Sequence, residues 1–289
     1  MGNSSRMPVL PLPILSGLPT ALPSVRADGG LLRGRWIGAA SVVGSGHRAA
    51  GTTAQDAYCF APSWDGSALV LAVCDGLGSH PLTSQIGAEL LARLCCHHAA
   101  AITGSDALEH GTGVLVDAID AANRDLIGIQ QTYFRALRPE DLHSTLLLCR
   151  LPSASHGGPA LFARAGDTEA FLLRDSHYDT VFPARRAAGP TNYVSGPLPH
   201  PDPHAVLEVM SVDLVADALI LATDGLAHDL FESPGSREWL ARRWSVPCGP
   251  HRMLDSLRYR RESSHDDRTA LIAWLRPGPE GVVDAGNDR

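Results

Sequence analysis

Residues 68–79 read A-L-V-L-A-V-C-D-G-L-G-S: seven apolar residues without a break, then Asp75 and Gly76. A run this short, stopped by a turn pair, predicts a buried β-strand. Seven further runs are built the same way: Trp36–Val43, Thr145–Leu151, Ala160–Arg164, Ala170–Arg174, Ala205–Val212, Ala218–Ala222 and Thr269–Leu275. Strands that follow each other through tight turns, as in Phe162–Arg174, predict antiparallel hairpins with helices on the outer faces. Two long helices are expected between the strands at 68 and 145. One carries the stripe Ile86, Leu90, Leu91 and Leu94, the other Leu115, Ile119, Ala122, Leu126 and Ile129. Shorter helices are expected over Ser236–Trp244 and Pro250–Glu262. Residues 175–204 show no period and read as a long irregular excursion, which in compact domains is usually functional or mobile.

Composition narrows the function. With 44% apolar and 19% charged residues over 289 positions, the chain can bury one sizeable core. All 24 basic residues are Arg, and acids outnumber them at 31, giving a net charge of -7. That balance argues against a nucleic-acid or anionic-membrane binder, which needs a basic face. No stretch reaches the roughly 18 apolar residues that span a bilayer. The six Cys form no CxxC pair and read as reduced, mostly buried thiols of a cytoplasmic protein. Cys95-Cys96-His97-His98 is not a metal site on this reading, because consecutive helical residues point about 100° apart. Residues 7–24 are apolar but carry five Pro, which prevents a continuous helix. Residues 1–30 therefore read as an extended Pro-rich tail, 31–276 as the folded domain and 277–289 as a second loose end.

The carboxylates carry the chemistry. Asp56 precedes a short apolar stretch, Asp75 closes the quoted strand, and Asp167 follows the run at 160–164. Asp224 follows the run at 218–222, and Asp266-Asp267 stand before the last strand. Any one Asp-Gly is an ordinary turn; five strand mouths each bearing an acid are not. Gathered at one end, these groups repel and raise one another's pKa unless cations lie between them. Oxygen donors without a His/Cys cluster select hard ions, Mg²⁺ or Mn²⁺, over Zn²⁺. Two such ions can activate a shared water and clamp a phosphoryl group.

Six ordered motifs carry a resemblance: Q-D-A-Y (55–58), A-V-C-D-G-L-G-S (72–79), H-S-T-L-L-L (143–148), A-G-D-T-E-A-F (165–171), L-A-T-D-G-L (221–226) and D-D-R-T-A (266–270). Over residues 36–276 the chain resembles the metal-dependent, type 2C serine/threonine phosphatases, most closely the compact bacterial branch. The resemblance implies an α+β fold, an αββα sandwich of two antiparallel sheets with helices outside. It implies that Asp75 bridges two Mn²⁺ or Mg²⁺ ions with the Gly76 carbonyl as a further ligand, and that Asp224 and Asp266 complete the first ion. Asp56 matches the N-terminal acidic position, and Asp167 with Asp224 matches a weaker third site of bacterial members. Asp267, Thr145 and Thr223 are implied to be supporting neighbours. A hydroxide bridging the two metals would attack phosphorus, without a covalent phosphoenzyme, on phosphorylated substrates of a Ser/Thr kinase.

Three positions depart from the family. Gln55 stands where many members have Glu. Leu77 stands where many have the His that protonates the leaving group, so that role passes to His80 or, as an alternative, His47. Gly51 stands at the position of the phosphate-binding Arg, leaving Arg48 as the candidate, with Arg185 and Arg186 on the excursion as others. A solvated loop residue is the plain alternative for each. These departures keep two other functions open: a phosphatase of small phosphoesters, and a weakly active, phosphate-recognising regulatory protein.

Overall fold

Two antiparallel sheets form the centre of the computed structural model, which describes residues 25–77, 83–183, 196–262 and 264–276. The first sheet has the order β1 (Val25–Leu32), β2 (Arg35–Val42), β11 (Arg268–Trp274), β10 (Ala218–Ala222), β7 (Glu169–Arg174) and β8 (His177–Thr180). The second runs β3 (Asp56–Pro62), β4 (Ala68–Asp75), β5 (Leu146–Pro152), β6 (Ala160–Ala165) and β9 (Glu208–Val212). Among the described residues there are seven α-helices: α1 (Ser45–Ala49), α2 (Ser84–Ala100), α3 (Gly104–His110), α4 (Gly113–Tyr133), α5 (Asp224–Glu232), α6 (Pro234–Trp244) and α7 (Pro250–Leu257).

Strand β4 shows why its sequence is apolar without interruption. Leu69, Leu71 and Val73 enter a core shared with Ile37, Leu147, Phe162, Leu219 and Leu271, from both sheets. Val70, Ala72 and Cys74 point the other way, into a core with Leu90, Leu91 and Leu94 of α2 and Leu115, Ile119 and Leu126 of α4. Successive strand residues face opposite sides, so burial on both sides demands apolar residues at every position. A third core joins the first sheet to α5, α6 and α7 through Phe171, Ile220, Leu230, Trp244 and Met253. Helices, sheet, sheet, helices: the expected αββα order is the observed one.

The differences from sequence expectation have local causes. Residues 25–30, read above as tail, lie within β1, which pairs with β2 over its whole length. The strand V-R-A-D-G-G-L-L is an edge with no apolar run, held by side chains. Arg26 donates to Glu89 of α2 at 3.1 Å, and the Tyr58 hydroxyl donates to Asp28 at 2.6 Å. Helix α7 ends at Leu257 rather than at 262, because Tyr259 and Arg261 turn back to bind Asp229 of α5. Helix α5 was hidden by its own Asp224-Gly225 pair, which looks like a turn. The excursion at 175–204 opens with strand β8, and its residues 184–195 lie outside the described residues.

Candidate metal centre

Antiparallel pairing decides which strand ends meet. Strands β4, β6 and β10 run toward one edge, and β3, β5, β7 and β11 leave it, so every acid named above falls there. Asp56 and Asp75 face each other as partners in the β3–β4 ladder. Asp167 lies in the turn between β6 and β7, Asp224 opens α5 directly after β10, and Asp266 and Asp267 precede β11.

The backbone around Asp75 is fixed on three sides. Its N–H donates to Thr145 Oγ1 at 3.0 Å, and its carbonyl accepts from the Thr145 N–H and the Ser144 hydroxyl, both at 2.8 Å. The next N–H, of Gly76, donates to the Gln55 carbonyl at 3.2 Å. A Cβ on Gly76 would lie 2.8 Å from the Ser84 backbone and 2.9 Å from the Gln55 carbonyl oxygen, so only glycine fits. Gly225 is tighter still: a Cβ there would sit 2.1 Å from the Asp267 carbonyl oxygen. The turn-like Asp-Gly pairs thus let strand ends from different parts of the chain approach one another.

Thr223 links the sheets. Its hydroxyl donates to Asp56 Oδ2 at 2.7 Å and accepts the Thr269 N–H at 3.0 Å. Asp267, 2% exposed, spends both oxygens on backbone amides: Oδ1 takes the Gly44 N–H and Oδ2 the Gln55 N–H, each at 2.6 Å. Thr145, Thr223 and Asp267 therefore brace the chain around the acids. Ser144 does the same, and the sequence had not singled it out.

The acids themselves are crowded. The Asp75 and Asp224 carboxyl groups lie close enough to shift each other's protonation. Burial first, then the charges of Asp56, Asp224 and Asp266, push the Asp75 carboxyl well above its ordinary value. Burial and Asp267 do the same to Asp56 against the hydrogen bond of Thr223. Asp224 is pushed up to about 6 by burial and by Asp167 and Asp266. Among the described residues no arginine or histidine acts on these three groups strongly enough to offset this. Carboxylates held together at such a cost, with oxygen as their only donor, fit hard divalent cations.

His47 lies beside this group. Its Nδ1 is 3.0 Å from Asp267 Oδ1 and 4.0 Å from Asp266 Oδ1, and these three residues can bring ligand atoms within 4.8 Å of one another. The Asp267 carboxylate beside it, against burial, raises the His47 pKa, which favours the imidazolium over a nitrogen ligand. Arg48, exposed on α1, donates to the Val43 carbonyl at 3.4 Å. His80, Arg185 and Arg186 lie outside the described residues. A cleft of about 340 Å³ opens beside the acids, lined by Asp167, Asp224, His228, Phe231, His265 and Asp266.

Comparison with known proteins follows the same lines. The family model described as Protein phosphatase 2C matches residues 43–259. A search of curated proteins finds no match. Among solved structures, a bacterial serine phosphatase is similar at 13% identity, covering 88% of this chain and 98% of that one with a TM-score of 0.57. PppA, described as a key regulatory component of T6SS in Pseudomonas aeruginosa, is similar at 18% identity, 88% and 98% coverage and a TM-score of 0.53. The catalytic domain of the serine threonine protein phosphatase PstP, solved with 2 manganese ions, is similar at 18% identity, 86% and 96% coverage and a TM-score of 0.50. At these identities the solved structures speak for the fold.

Proposed function

The chain belongs to the protein phosphatase 2C family, a family of metal-dependent phosphatases, and from that premise we propose that it hydrolyses phosphoserine and phosphothreonine in protein substrates of a Ser/Thr kinase. The supporting observation is the gathering of Asp56, Asp75, Asp224 and Asp266 at the strand ends of the two different sheets, close enough for their charges to act on Asp75. In this reading Asp75 would be shared by two cations with the Gly76 carbonyl as a further ligand, Asp224 and Asp266 would complete the first, and Asp56 would serve through its position opposite Asp75. Asp167 joins Asp224 at a weaker third site. Mn²⁺ or Mg²⁺, when bound, would supply Lewis-acid charge to the phosphoryl oxygens and lower the pKa of an attacking water.

The chain's own part is placement and charge. Thr145, Ser144 and the Gly76 N–H hold Asp75 still, so little reorganisation is needed when substrate arrives. Thr223 fixes the Asp56 carboxylate. Imidazolium at His47 stands at the edge of the site as a proton source for the leaving oxygen, with His80 the second candidate. Arg48 sits on the same short helix and is the described candidate for phosphate contact. Six free cysteines suit a reducing, cytoplasmic compartment.

Paired assays test this: release of phosphate from a phosphothreonine peptide and from p-nitrophenyl phosphate, with Mn²⁺ and with chelator. The proposal expects Mn²⁺-dependent turnover of both. Turnover of the small ester alone points to a small-molecule phosphatase. Silence on both, with metal bound, points to a regulatory protein.

A further inference from the structure

Helix α5 has two faces with different tasks. Leu226 and Leu230 enter the core of the first sheet with Ile220 and Trp244. Asp224, His228 and Phe231 fall four and then three residues apart, a spacing that brings them to one face of the helix. All three line the cleft beside the acids. Asp224 opens the helix, and Phe231 lies about 10 Å further along its axis. The other wall is built by Ser264, His265 and Asp266, from the segment before β11. The cleft therefore reaches from the acids to an aromatic ring.

Phe231 is out of pattern on this face. The outward stripe of an amphipathic helix is ordinarily polar, yet this phenylalanine is 52% exposed. Of the large apolar side chains left exposed among the described residues, it is the one that lines this cleft. Its ring is held in place: it packs on Phe171, with 5.4 Å between centroids and 55° between planes, and Phe171 is itself buried in the core. The neighbours are tied as well. His228 Nε2 pairs with Glu232 at 2.9 Å, and Glu232 pairs with Arg261 at 3.1 Å. An apolar surface fixed before contact loses little freedom when something is laid on it.

We propose that Phe231 is a specificity-determining residue, which receives an apolar side chain of the phosphopeptide two or three residues from the phosphorylated one. This rests on the hydrolysis of phosphoserine and phosphothreonine in proteins proposed above. An extended peptide advances about 3.3 Å per residue, so with its phosphoryl group at the acids it reaches Phe231 within three residues. An apolar side chain laid on the ring leaves water, and so does the exposed part of the ring. A glutamate at the same place meets an apolar ring and the carboxylate of Glu232, with His228 and Arg261 already paired.

The test measures kcat/KM of the full chain with Mn²⁺ on phosphothreonine peptides of serine and glycine, each carrying one leucine or one glutamate two or three residues to either side. Wild type should prefer leucine over glutamate by at least about fivefold at one of these positions, with the difference in KM rather than kcat. Phe231→Ser should abolish that preference, Phe231→Leu should keep most of it, and Phe231→Arg should invert it. Each preference is a ratio within one protein, so a loss of folded material cancels. No preference in wild type at any of the positions overturns the proposal. So does a Phe231→Ser variant that slows both peptides alike and keeps the preference, as a merely structural phenylalanine would. Turnover of no phosphopeptide at all brings down the reading beneath the proposal, and the proposal with it.

Discussion

The hydroxyl of Thr223, at the end of β10, donates to Oδ2 of Asp56, at the start of β3, at 2.7 Å. One side chain thereby ties the two sheets together at the edge where the acids meet. Replacing Thr223 with Val keeps the shape and removes the donor. The Asp56 carboxyl then loses the Thr223 donor, and the Thr269 N–H loses its acceptor. Denaturant unfolding should show a loss of about 1–3 kcal/mol. A variant as stable as wild type would mean that this bond does not tie the sheets.

Asp224→Asn should separate function from stability. Asp224 carries a raised pKa of about 6, so its ionised form is disfavoured in the folded state relative to the unfolded one. Such a group weakens the fold at neutral pH, and the weakening is relieved as pH falls through the folded value. In chelator at pH 7.5, Asp224→Asn should therefore unfold at the same or a higher temperature than wild type. With saturating Mn²⁺ its turnover should drop by more than about a hundredfold, since even outer partners of a ligand cost roughly 10–100-fold. Near-normal turnover would remove Asp224 from the site.

Asp229 makes the opposite prediction. Its side chain is fully buried and accepts from Arg268 Nε at 2.8 Å, Arg261 at 2.6 Å, the Tyr259 hydroxyl at 2.5 Å and Ser264 at 3.2 Å. These bonds hold the segment leading to Asp266 against α5. Despite burial, Tyr259, Arg261 and Arg268 together lower its pKa. A depressed carboxyl contributes stability above its unfolded value, near 4, and the contribution fades as pH falls toward the folded value. Asp229→Asn should cost about 3–5 kcal/mol at pH 7, with the gap to wild type narrowing below pH 4. A gap independent of pH would show that the charge is not what stabilises this segment.

Two glycines give a paired test of backbone approach. At Gly225 a Cβ would overlap the Asp267 carbonyl oxygen, whereas at Gly128, inside α4, nothing lies within 4 Å of one. Gly225→Ala should lose several kcal/mol, or fail to fold. Gly128→Ala should be neutral or gain up to about 1 kcal/mol from helix propensity. Equal effects at the two sites, read by chemical unfolding, would contradict the close approach of α5 to the segment before β11.

Much of this architecture is legible in the sequence because of how it is buried. β4, β5 and β10 lie between two layers, so their runs are unbroken and their ends are marked by Asp, Gly or Thr. The stripe of α4 is legible for the same reason: Leu115, Ile119, Ala122, Leu126 and Ile129 all enter one core. Edge strands β1 and β8 have no such pattern, because an edge needs only backbone pairing and a few side-chain clamps such as Arg26–Glu89. The acids were legible by type and order along the chain. What braces them was less so: nothing in a single sequence says that Asp267 spends its oxygens on the Gly44 and Gln55 amides, or that Ser144 holds the Asp75 carbonyl. Those bonds link residues far apart in the chain, and only the fold makes them neighbours.

The central claim is that Asp75, Asp224 and Asp266 grip divalent cations through oxygen. Manganese titrated into chelator-stripped protein, with free Mn²⁺ counted by its paramagnetic resonance, reads this directly. The account predicts at least two ions bound per wild-type chain, with the tighter one lost in Asp75→Asn while circular dichroism is unchanged. Wild-type protein that leaves all Mn²⁺ free, or an Asp75→Asn variant that binds as many ions as tightly, would contradict it.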